Sequence, residues 1–354
     1  MLKNYRKKPY DFEKNHNNKF KKKIFELTIH HKRNCDIYKN IVNFLDIKKS
    51  KYDTLADVPF IPTRLFKDVD LLSVKKDKIV KTLLSSGTSN DGLSRIYLDK
   101  NNSINQIRAL SDILSTLIGN ERVPMIIVDK NPINNSRKSF NARVAAIYGF
   151  SIFGKNIFYL LDSNNKINYE GLKNFLLTHS KEKLLIFGFT SFIYKYLVLK
   201  FKNSNKKFDL SDSIILHGGG WKKLEDKKVS NKKFKNLLFQ KFKVSQVVNY
   251  YGTVEQTGSI FLECEKCGNL KTSIYSDIII RDNNFKNLSA NKTGIIQLIS
   301  VLPSSYPGHS ILTEDLGKII HEGNCQGNIG GKCFKVLGRV KKAEIRGCSD
   351  TGHF

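Results

Sequence analysis

The chain has 354 residues, of which 40% are hydrophobic and 11% aromatic, values typical of a folded globular protein and not of a disordered or fibrous one. Its 60 Lys and Arg residues against 32 Asp and Glu give a formal net charge of +28, which raises nucleic acid as a partner. Because the lysines are scattered among Asn, Asp and Glu and no DNA-binding or RNA-binding motif accompanies them, we expect a solvated basic surface and no binding of DNA or RNA.

The N-terminus is basic and lacks the apolar core of a secretory signal. No apolar run approaches the ~18 residues of a membrane-spanning helix. We therefore expect a cytoplasmic protein without a membrane span. In that compartment the six cysteines are expected to be thiols or metal ligands and not a disulfide framework.

Two kinds of element are predicted along the chain. Apolar residues at helical spacing between about residues 18 and 50 predict an N-terminal helical region, which we place at 1–60. From about residue 80, short runs rich in Ile, Val and Phe alternate with helical patterns and predict buried strands of an α/β fold, with parallel strands that carry the chemistry at their carboxyl ends. The predicted strands are 125–129, 156–162, 183–189, 213–220, 246–252, 277–282 and 295–300.

The first polar segment with a chemical signature is Ser85-Ser86-Gly87-Thr88-Ser89. Its backbone N–H groups and hydroxyls suit phosphate oxygens, and Arg95 adds a cation nearby. The spacing is not that of a Walker loop. A plain turn has the same composition and is the alternative.

Two glycine-containing segments follow predicted strands. In "HGGGWKKLE" the consecutive glycines let a ligand approach the backbone, although a tight turn needs them equally. In "NYYGTVEQTG" two tyrosines precede Gly252 and Glu255, which suits an aromatic face for a base and a carboxylate for a metal ion. A buried tyrosine pair is the alternative there.

Two further segments complete the series. Thr313 and Asp315 precede Gly317 in a predicted turn, where they would accept hydrogen bonds from ribose hydroxyls. The segment "GRVKKAEIRGCSD" begins at Gly338, next to Arg339, and contains Cys348.

Taken in this order, the segments resemble the motifs of adenylate-forming enzymes. More narrowly, "VPFIPTRLFK", "SSGTSNDGLSR", "HGGGWKKL", "YYGTVEQTGSIF" and "GRVKKAEIRGCSD" resemble the acyl-protein synthetase (LuxE-type) family, and the resemblance covers nearly the whole chain. It implies the large α/β domain of adenylate-forming enzymes over residues 61–337. It also implies a hinge and a short tail over 338–354 in place of most of the mobile C-terminal domain.

The resemblance implies an activity and its participants. A carboxylic acid, in this family a fatty acid, would react with ATP and Mg²⁺ to give an acyl-adenylate, and the acyl group would pass to Cys348 and then to an acyl-CoA reductase-like or acyltransferase partner. The implied site residues are Ser85, Ser86, Gly87, Thr88, Ser89 and Arg95 for the triphosphate, Tyr251 for adenine beside Gly219, Gly220 and Gly252, Glu255 for Mg²⁺, and Asp315 and Arg339 for the ribose.

The sequence departs from the wider superfamily at three points. Arg95 stands where a lysine of the phosphate loop is usual, and Val254 stands where a threonine is usual. The sequence also ends soon after Arg339, so we expect no counterpart of the catalytic lysine that the mobile domain of the superfamily carries. We expect the body of the adenylation domain, the Lys341 and Lys342 region, or a partner subunit to supply that charge.

Cys348 is the expected acyl acceptor. A thiolate attacks an activated acyl group readily, and basic neighbours such as Arg346 lower the pKa of a thiol. From the residues alone an idle thiol is the alternative, and the resemblance favours the acylated cysteine. An acid:CoA ligase, or a ligase for an amino or sugar acid in polysaccharide biosynthesis, remains an open alternative for the whole chain.

Four other cysteines form two pairs. Cys264 and Cys267 have the spacing of a zinc knuckle and are followed by Gly268, whereas the spacing of Cys325 and Cys333 is irregular. A structural Zn²⁺ on these four residues and a set of reduced thiols both remain open.

Overall fold

The computed structural model describes residues 8–44, 52–85, 93–132, 142–202, 208–325 and 330–340. The chain divides into two compact units. Unit 1 comprises the described residues within 1–113 and 252–340, and unit 2 comprises those within 114–251. Each unit contains β-strands and helices of its own.

Unit 1 begins with the predicted helical region. Helices α1 (His16–Asn34) and α2 (Asp36–Phe44) follow one another, and α1 buries an apolar face that includes Phe20, Ile24 and Leu27. The remaining elements of this part of unit 1 are β1 (Ile61–Pro62), α3 (Leu65–Asp68), the antiparallel hairpin β2 (Ile79–Leu84) and β3 (Arg95–Asp99), and α4 (Lys100–Ile118), which begins here.

Unit 2 is a parallel sheet with helical connections, as predicted for the first five strands. The strands are β4 (Val123–Lys130), β5 (Gly154–Leu161), β6 (Leu184–Phe189), β7 (Ser213–Gly218) and β8 (Gln246–Tyr251), in the spatial order β5-β4-β6-β7-β8. Every residue of β6 and β7 is buried, because a parallel sheet is covered on both faces.

The helices of unit 2 occupy the connections between the strands. They are α5 (Ala142–Ser151), α6 (Tyr169–Thr178), α7 (Thr190–Phe192), a π-helix (Ile193–Leu199), α8 (Lys200–Lys202) and α9 (Asn231–Phe242). Side chains cap two of them: Asn168 accepts from the Gly171 amide at the start of α6, and Ser230 accepts from the Lys233 amide at the start of α9.

The second part of unit 1 is an antiparallel sheet. After β9 (Phe261–Leu262), the strands β10 (Leu270–Lys271), β11 (Ser276–Arg281), β12 (Gly294–Ser300), β13 (Ser310–His321) and β14 (Cys333–Arg339) lie in the order β10-β14-β13-β12-β11, with β1 parallel to β13. The strands predicted at 277–282 and 295–300 are present, but the expectation that they are parallel is wrong. No helix links β11 to β12, and a parallel pair needs such a crossover.

Within the described ranges, no helix combines the length and the apolar character required to cross a membrane.

Candidate active site

The carboxyl ends of β7 and β8 bring together predicted nucleotide-binding residues of unit 2. The two strands are parallel neighbours, with His217 aligned to Asn249 and Gly218 aligned to Tyr250. Gly219 and Gly220 directly follow β7, and Tyr251 is the last residue of β8. The bare glycine backbone and the half-buried tyrosine therefore lie at the same edge of the sheet.

The glycines make a turn that other residues adopt with difficulty. Gly219 has φ +80° and Gly220 has φ +73°, both in the left-handed region. A Cβ on Gly219 would lie 2.7 Å from the Phe189 ring, whereas a Cβ on Gly220 would meet nothing within 4 Å. The tight-turn interpretation is thus correct, and the same turn leaves the backbone uncovered by side chains at the sheet edge.

His217 is a buried neutral residue in this edge. Its Nδ1 lies 2.9 Å from Thr190 Oγ1, and the Thr190 hydroxyl donates to the Gly218 carbonyl at 3.1 Å. Because the single hydroxyl proton points to the carbonyl, Nδ1 is the donor to Thr190. Burial, assisted by the charge of Lys235, lowers the pKa of His217 to about 3. The imidazole therefore orients the ends of β6 and β7 and does not act as a cation.

A buried ion pair in unit 2 is a feature that the sequence analysis missed. Arg143 Nε donates to Asp129 Oδ2 at 2.7 Å, and Arg143 Nη2 donates to the other carboxylate oxygen. The guanidinium carbon lies 4.2 Å from the centroid of the Phe192 ring. Asp129 is near the end of β4, so the signal was an acidic residue directly after a buried apolar run.

In unit 1, Ser85 is hydrogen-bonded to Ser94 at the start of the predicted phosphate-binding segment. The Ser85 amide donates to the Ser94 carbonyl at 3.0 Å, and the Ser94 amide donates to Ser85 Oγ at 2.8 Å. These bonds extend the β2–β3 hairpin by one pair. The other predicted residues of the segment, Ser86, Gly87, Thr88 and Ser89, lie outside the described residues.

Arg95 already has a counter-ion. It is the first residue of β3, and its Nε donates to Asp70 Oδ1 at 2.5 Å. The hydrogen bond from Arg95 lowers the pKa of the Asp70 carboxyl. Sequence reasoning missed Asp70, and a phosphate at Arg95 has to compete with its carboxylate.

Glu255 sits in a short 3₁₀ turn, Val254–Gln256, and is only 8% exposed. Its carbonyl accepts a hydrogen bond of 2.9 Å from the Tyr306 hydroxyl, which fixes the backbone. Burial raises the pKa of the Glu255 carboxyl, while the nearby hydroxyls of Ser94 and Thr253 act in the opposite direction. A buried carboxylate with a raised pKa is typical of a functional position.

The oxygen atoms around Glu255 are of the kinds that can hold a magnesium ion. The Ser94 and Thr253 hydroxyls are shielded from solvent and are close enough to the Glu255 carboxyl to lower its pKa, but neither has the geometry of a full hydrogen bond to a described group. Such buried hydroxyls require a partner. Carboxylate and hydroxyl oxygens are ligands that Mg²⁺ accepts, and the hydroxyl protons are donors that phosphate accepts.

Asp315 and Arg339 are partners across β13 and β14. They are aligned in the register, and Arg339 Nε lies 3.5 Å from Asp315 Oδ1. The predicted turn at Thr313 to Gly317 is wrong, because this segment is the middle of β13 with a bulge after Leu316. A Cβ on Gly317 would lie 2.6 Å from the Lys335 carbonyl, so the close approach of β14 explains this glycine.

Four of the described cysteines form one cluster in unit 1. Cys264 Sγ lies 3.6 Å from Cys325 Sγ, and Cys267 Sγ lies 4.0 Å from Cys333 Sγ. Burial raises the pKa of the Cys264 and Cys333 thiols to about 11.

Cys348 lies outside the described residues, as do Lys341 and Lys342. Cys35 is buried apart from the four-cysteine cluster, and burial raises the pKa of its thiol.

Comparison with solved structures identifies the fold. The complex of 2-hydroxyisobutyryl-CoA ligase with 2-HIB-AMP in the postadenylation state superposes with a TM-score of 0.70 at 12% identity, covering 92% of this chain and 68% of that chain. The corresponding complex with R3-HIB-AMP gives a TM-score of 0.69 with the same coverage. The predicted α/β fold of the adenylate-forming type is confirmed.

Comparison of sequences identifies the family. Two curated relatives are named long-chain-fatty-acid--luciferin-component ligase: that of Vibrio harveyi is 23% identical over 335 residues, 90% of this chain and 83% of the relative, and that of Aliivibrio fischeri is 22% identical over 308 residues, 84% and 78% of the two chains. A family model described as "Acyl-protein synthetase, LuxE" matches residues 5–352. The chain therefore belongs to the acyl-protein synthetase family of the LuxE type and is a ligase.

Proposed function

We propose that the protein uses ATP to activate a carboxylic acid as an acyl-adenylate and then transfers the acyl group to the thiol of Cys348. The observation that carries the proposal is the buried carboxyl of Glu255 beside two hydroxyls that lack well-formed hydrogen bonds. Family membership and the likeness of the fold to a ligase in complex with an acyl-AMP support the same chemistry.

The first step joins two anions. A carboxylate oxygen of the acid forms a bond to the α-phosphorus of ATP, and the bond from that phosphorus to the pyrophosphate oxygen breaks. The site must supply cations and oriented donors for the charge on the phosphates. We assign these roles to Arg95 and to the segment Ser85 to Ser89, in which the Ser85 amide is already bonded to the Ser94 carbonyl.

Glu255 is the proposed ligand of Mg²⁺, with the hydroxyls of Ser94 and Thr253 beside it. When bound, the ion would offset the negative charge of the phosphates. A bound cation would also favour the ionised carboxyl of Glu255, whose pKa burial raises. The residue is therefore suited to hold a cation and poorly suited to remain charged alone.

The proposed nucleoside-binding residues are those that the motifs imply. Tyr251 would stack on adenine beside the bare backbone of Gly219 and Gly220. Asp315 would accept hydrogen bonds from the ribose hydroxyls, and Arg339 would hold the Asp315 carboxylate in position.

The proposed substrate is a long-chain fatty acid, since the two curated relatives carry that substrate in their names. The segment 188–199 is the proposed lining for the chain of the acid. It contains the π-helix, whose Ile193, Tyr194 and Leu197 are buried, and π-helical turns occur frequently at functional sites.

The second step transfers the acyl group to sulfur. The Cys348 thiolate attacks the acyl carbonyl carbon, the bond from that carbon to the AMP oxygen breaks, and AMP leaves. The basic residues before Cys348 in the sequence favour its thiolate. By contrast, burial raises the pKa of Cys35, which makes that thiol a poor acceptor. A reductase or acyltransferase partner would then take the acyl group from the thioester.

Acyl labelling tests this proposal. The protein is incubated with ATP, Mg²⁺ and a fatty acid labelled at its carboxyl carbon, then denatured and treated with neutral hydroxylamine, which cleaves thioesters. We expect hydroxylamine-sensitive label on the wild type and on the Cys35→Ser control, and none on Cys348→Ser, which retains acid-dependent release of pyrophosphate. Label that persists on Cys348→Ser, or that appears only on added CoA, would contradict the assignment of Cys348. Amino and sugar acids in the same assay test the alternative substrates.

A further inference from the structure

We propose that Cys264, Cys267, Cys325 and Cys333 bind one zinc ion in unit 1. Four thiolates at the usual Zn–S distance of about 2.3 Å in a tetrahedron have sulfur atoms ~3.8 Å apart. The two pairs at 3.6 and 4.0 Å match this separation. The sulfurs of Cys264, Cys267 and Cys325 all lie within 4.8 Å of one another, and Cys333 joins this group through its 4.0 Å distance to Cys267. To complete the tetrahedron, Cys333 would have to move closer to at least one of the other two sulfurs. A disulfide requires about 2.05 Å, so none of the four is bonded to another.

The turn after Cys264 has the hydrogen bonds of a metal-binding knuckle. The Cys264 amide donates to the Asn269 carbonyl and the Gly268 amide donates to the Cys264 carbonyl, each at 2.8 Å. Gly268 has φ +65°, which closes the turn. Asn269 Nδ2 also donates to the Cys267 carbonyl at 3.0 Å. The backbone is therefore held in the form that directs two cysteine sulfurs toward one point.

The other two cysteines come from a distant part of the sequence. Cys333 is the first residue of β14 and is aligned with Lys271 of β10 and with His321 of β13. Cys325 lies in the connection that follows β13 and is 61 residues from Cys264 in the sequence. Two segments that are separate in the chain thus meet at the four sulfurs and at the β10–β14 pairing.

A buried lysine supplies the second argument for a metal. Lys271 is 1% exposed, and its ammonium donates to Cys333 Sγ at 3.2 Å, to the Gly331 carbonyl at 3.1 Å and to the Gly323 carbonyl at 3.5 Å. None of these partners among the described residues is a carboxylate.

A buried ammonium without a counter-charge is strongly unfavourable. Four neutral thiols provide none, whereas Zn²⁺ with four thiolates carries a net charge of −2. The lysine and the metal cluster therefore stabilise each other.

The site has a structural role. Four cysteine ligands leave no open position on a tetrahedral zinc ion, so the ion does not bind substrate. Cys333 and Arg339 are the first and last residues of β14. The ion would anchor the start of the strand whose end presents Arg339 to Asp315.

Metal analysis of the full-length protein, purified without chelators, tests the proposal. We expect one zinc ion per chain in the wild type and in the Cys35→Ser control, and less than about a tenth of that in Cys264→Ser and Cys333→Ser. Lys271→Met keeps all four ligands and should lower the affinity for zinc by about 10- to 100-fold in competition with a chelator, as expected for loss of a group that contacts a ligand.

A thiol titration of the wild type tests the proposal without relying on the folding of any variant. Stepwise reaction with an organomercurial, followed with a zinc-sensitive dye, should release one zinc ion as four thiols react. Absence of metal from the wild type, iron in place of zinc, disulfides between these cysteines, or full zinc content in Cys264→Ser would each overturn the proposal.

Discussion

Arg95 Nε donates a hydrogen bond of 2.5 Å to Asp70 Oδ1, so the cation predicted to bind phosphate is already paired with a carboxylate. The pair is partly exposed, with 34% of the Arg95 side chain and 44% of the Asp70 side chain accessible. Exposed ion pairs contribute at most ~1 kcal/mol, so the phosphates of a nucleotide can displace Asp70. Under the proposed role of Arg95, Asp70 would compete with ATP and weaken its binding.

Removal of this competitor should strengthen ATP binding. We expect Asp70→Asn to lower the KM for ATP by up to about fivefold, the equivalent of ~1 kcal/mol. Arg95→Ala should raise the KM because the cation is lost. The measurement is the ATP dependence of pyrophosphate exchange, with Asp77→Asn as an exposed acidic control. An unchanged KM in both Asp70→Asn and Arg95→Ala would show that Arg95 does not contact the nucleotide.

Glu255→Gln should separate activity from stability. Loss of the charged ligand is expected to lower the rate of adenylation by at least about 100-fold. Burial raises the pKa of Glu255, so its contribution to stability is full below the ordinary value of 4.5 and falls as the pH rises through the raised pKa. The glutamine variant should therefore melt above the wild type at about pH 8 and level with it at about pH 4.

Thermal unfolding at the two pH values checks the sign of this difference. Glu26→Gln, at an exposed position of α1, is the control and should alter neither property. A glutamine variant that melts below the wild type at the higher pH would mean that the carboxylate is stabilised in the fold and that its burial is not the dominant effect.

Removal of one partner from the buried pair of Asp129 and Arg143 should strongly destabilise the protein. Asp129→Asn leaves the guanidinium buried without its counter-charge, which we expect to cost about 3–5 kcal/mol in the free energy of unfolding. Asp70→Asn removes an exposed pair and should cost less than ~1 kcal/mol. Urea denaturation of the two variants measures the difference. Equal losses would contradict the assignment of the Asp129 pair as a buried, mutually dependent pair.

The two left-handed glycines should differ in their tolerance of alanine. Gly220→Ala imposes the left-handed backbone alone, about 1–2 kcal/mol. Gly219→Ala imposes the same backbone cost and also a contact of 2.7 Å with the Phe189 ring, so it should be the more destabilising of the pair. Chemical denaturation compares the two variants. A larger loss for Gly220→Ala would contradict the geometry of this turn.

The features that could be predicted are those that depend on the residues of a single segment. The strands of unit 2 are continuous runs of large apolar residues and were identified correctly, whereas antiparallel pairing in the second part of unit 1 depends on connections that composition does not reveal. The segment Thr313 to Gly317 has the composition of a turn, and its extended form is imposed by β12 and β14 on either side.

The partners of the site residues could not be predicted, because they are distant in the sequence. Asp70 lies 25 residues from Arg95, and Lys271 lies 62 residues from Cys333. Glu255 was identified from its motif, but the raised pKa of its carboxyl results from burial beside Ser94 and Thr253 in the folded chain.

The most direct test of the proposed function is ATP–pyrophosphate exchange with Mg²⁺ across a panel of fatty, aromatic, amino and sugar acids. We expect exchange that depends on a long-chain fatty acid, persists in Cys348→Ser and is lost in Glu255→Gln. Exchange that no acid stimulates, with the protein alone and with an acyl-CoA reductase-like partner added, would contradict the assignment of adenylation to this chain.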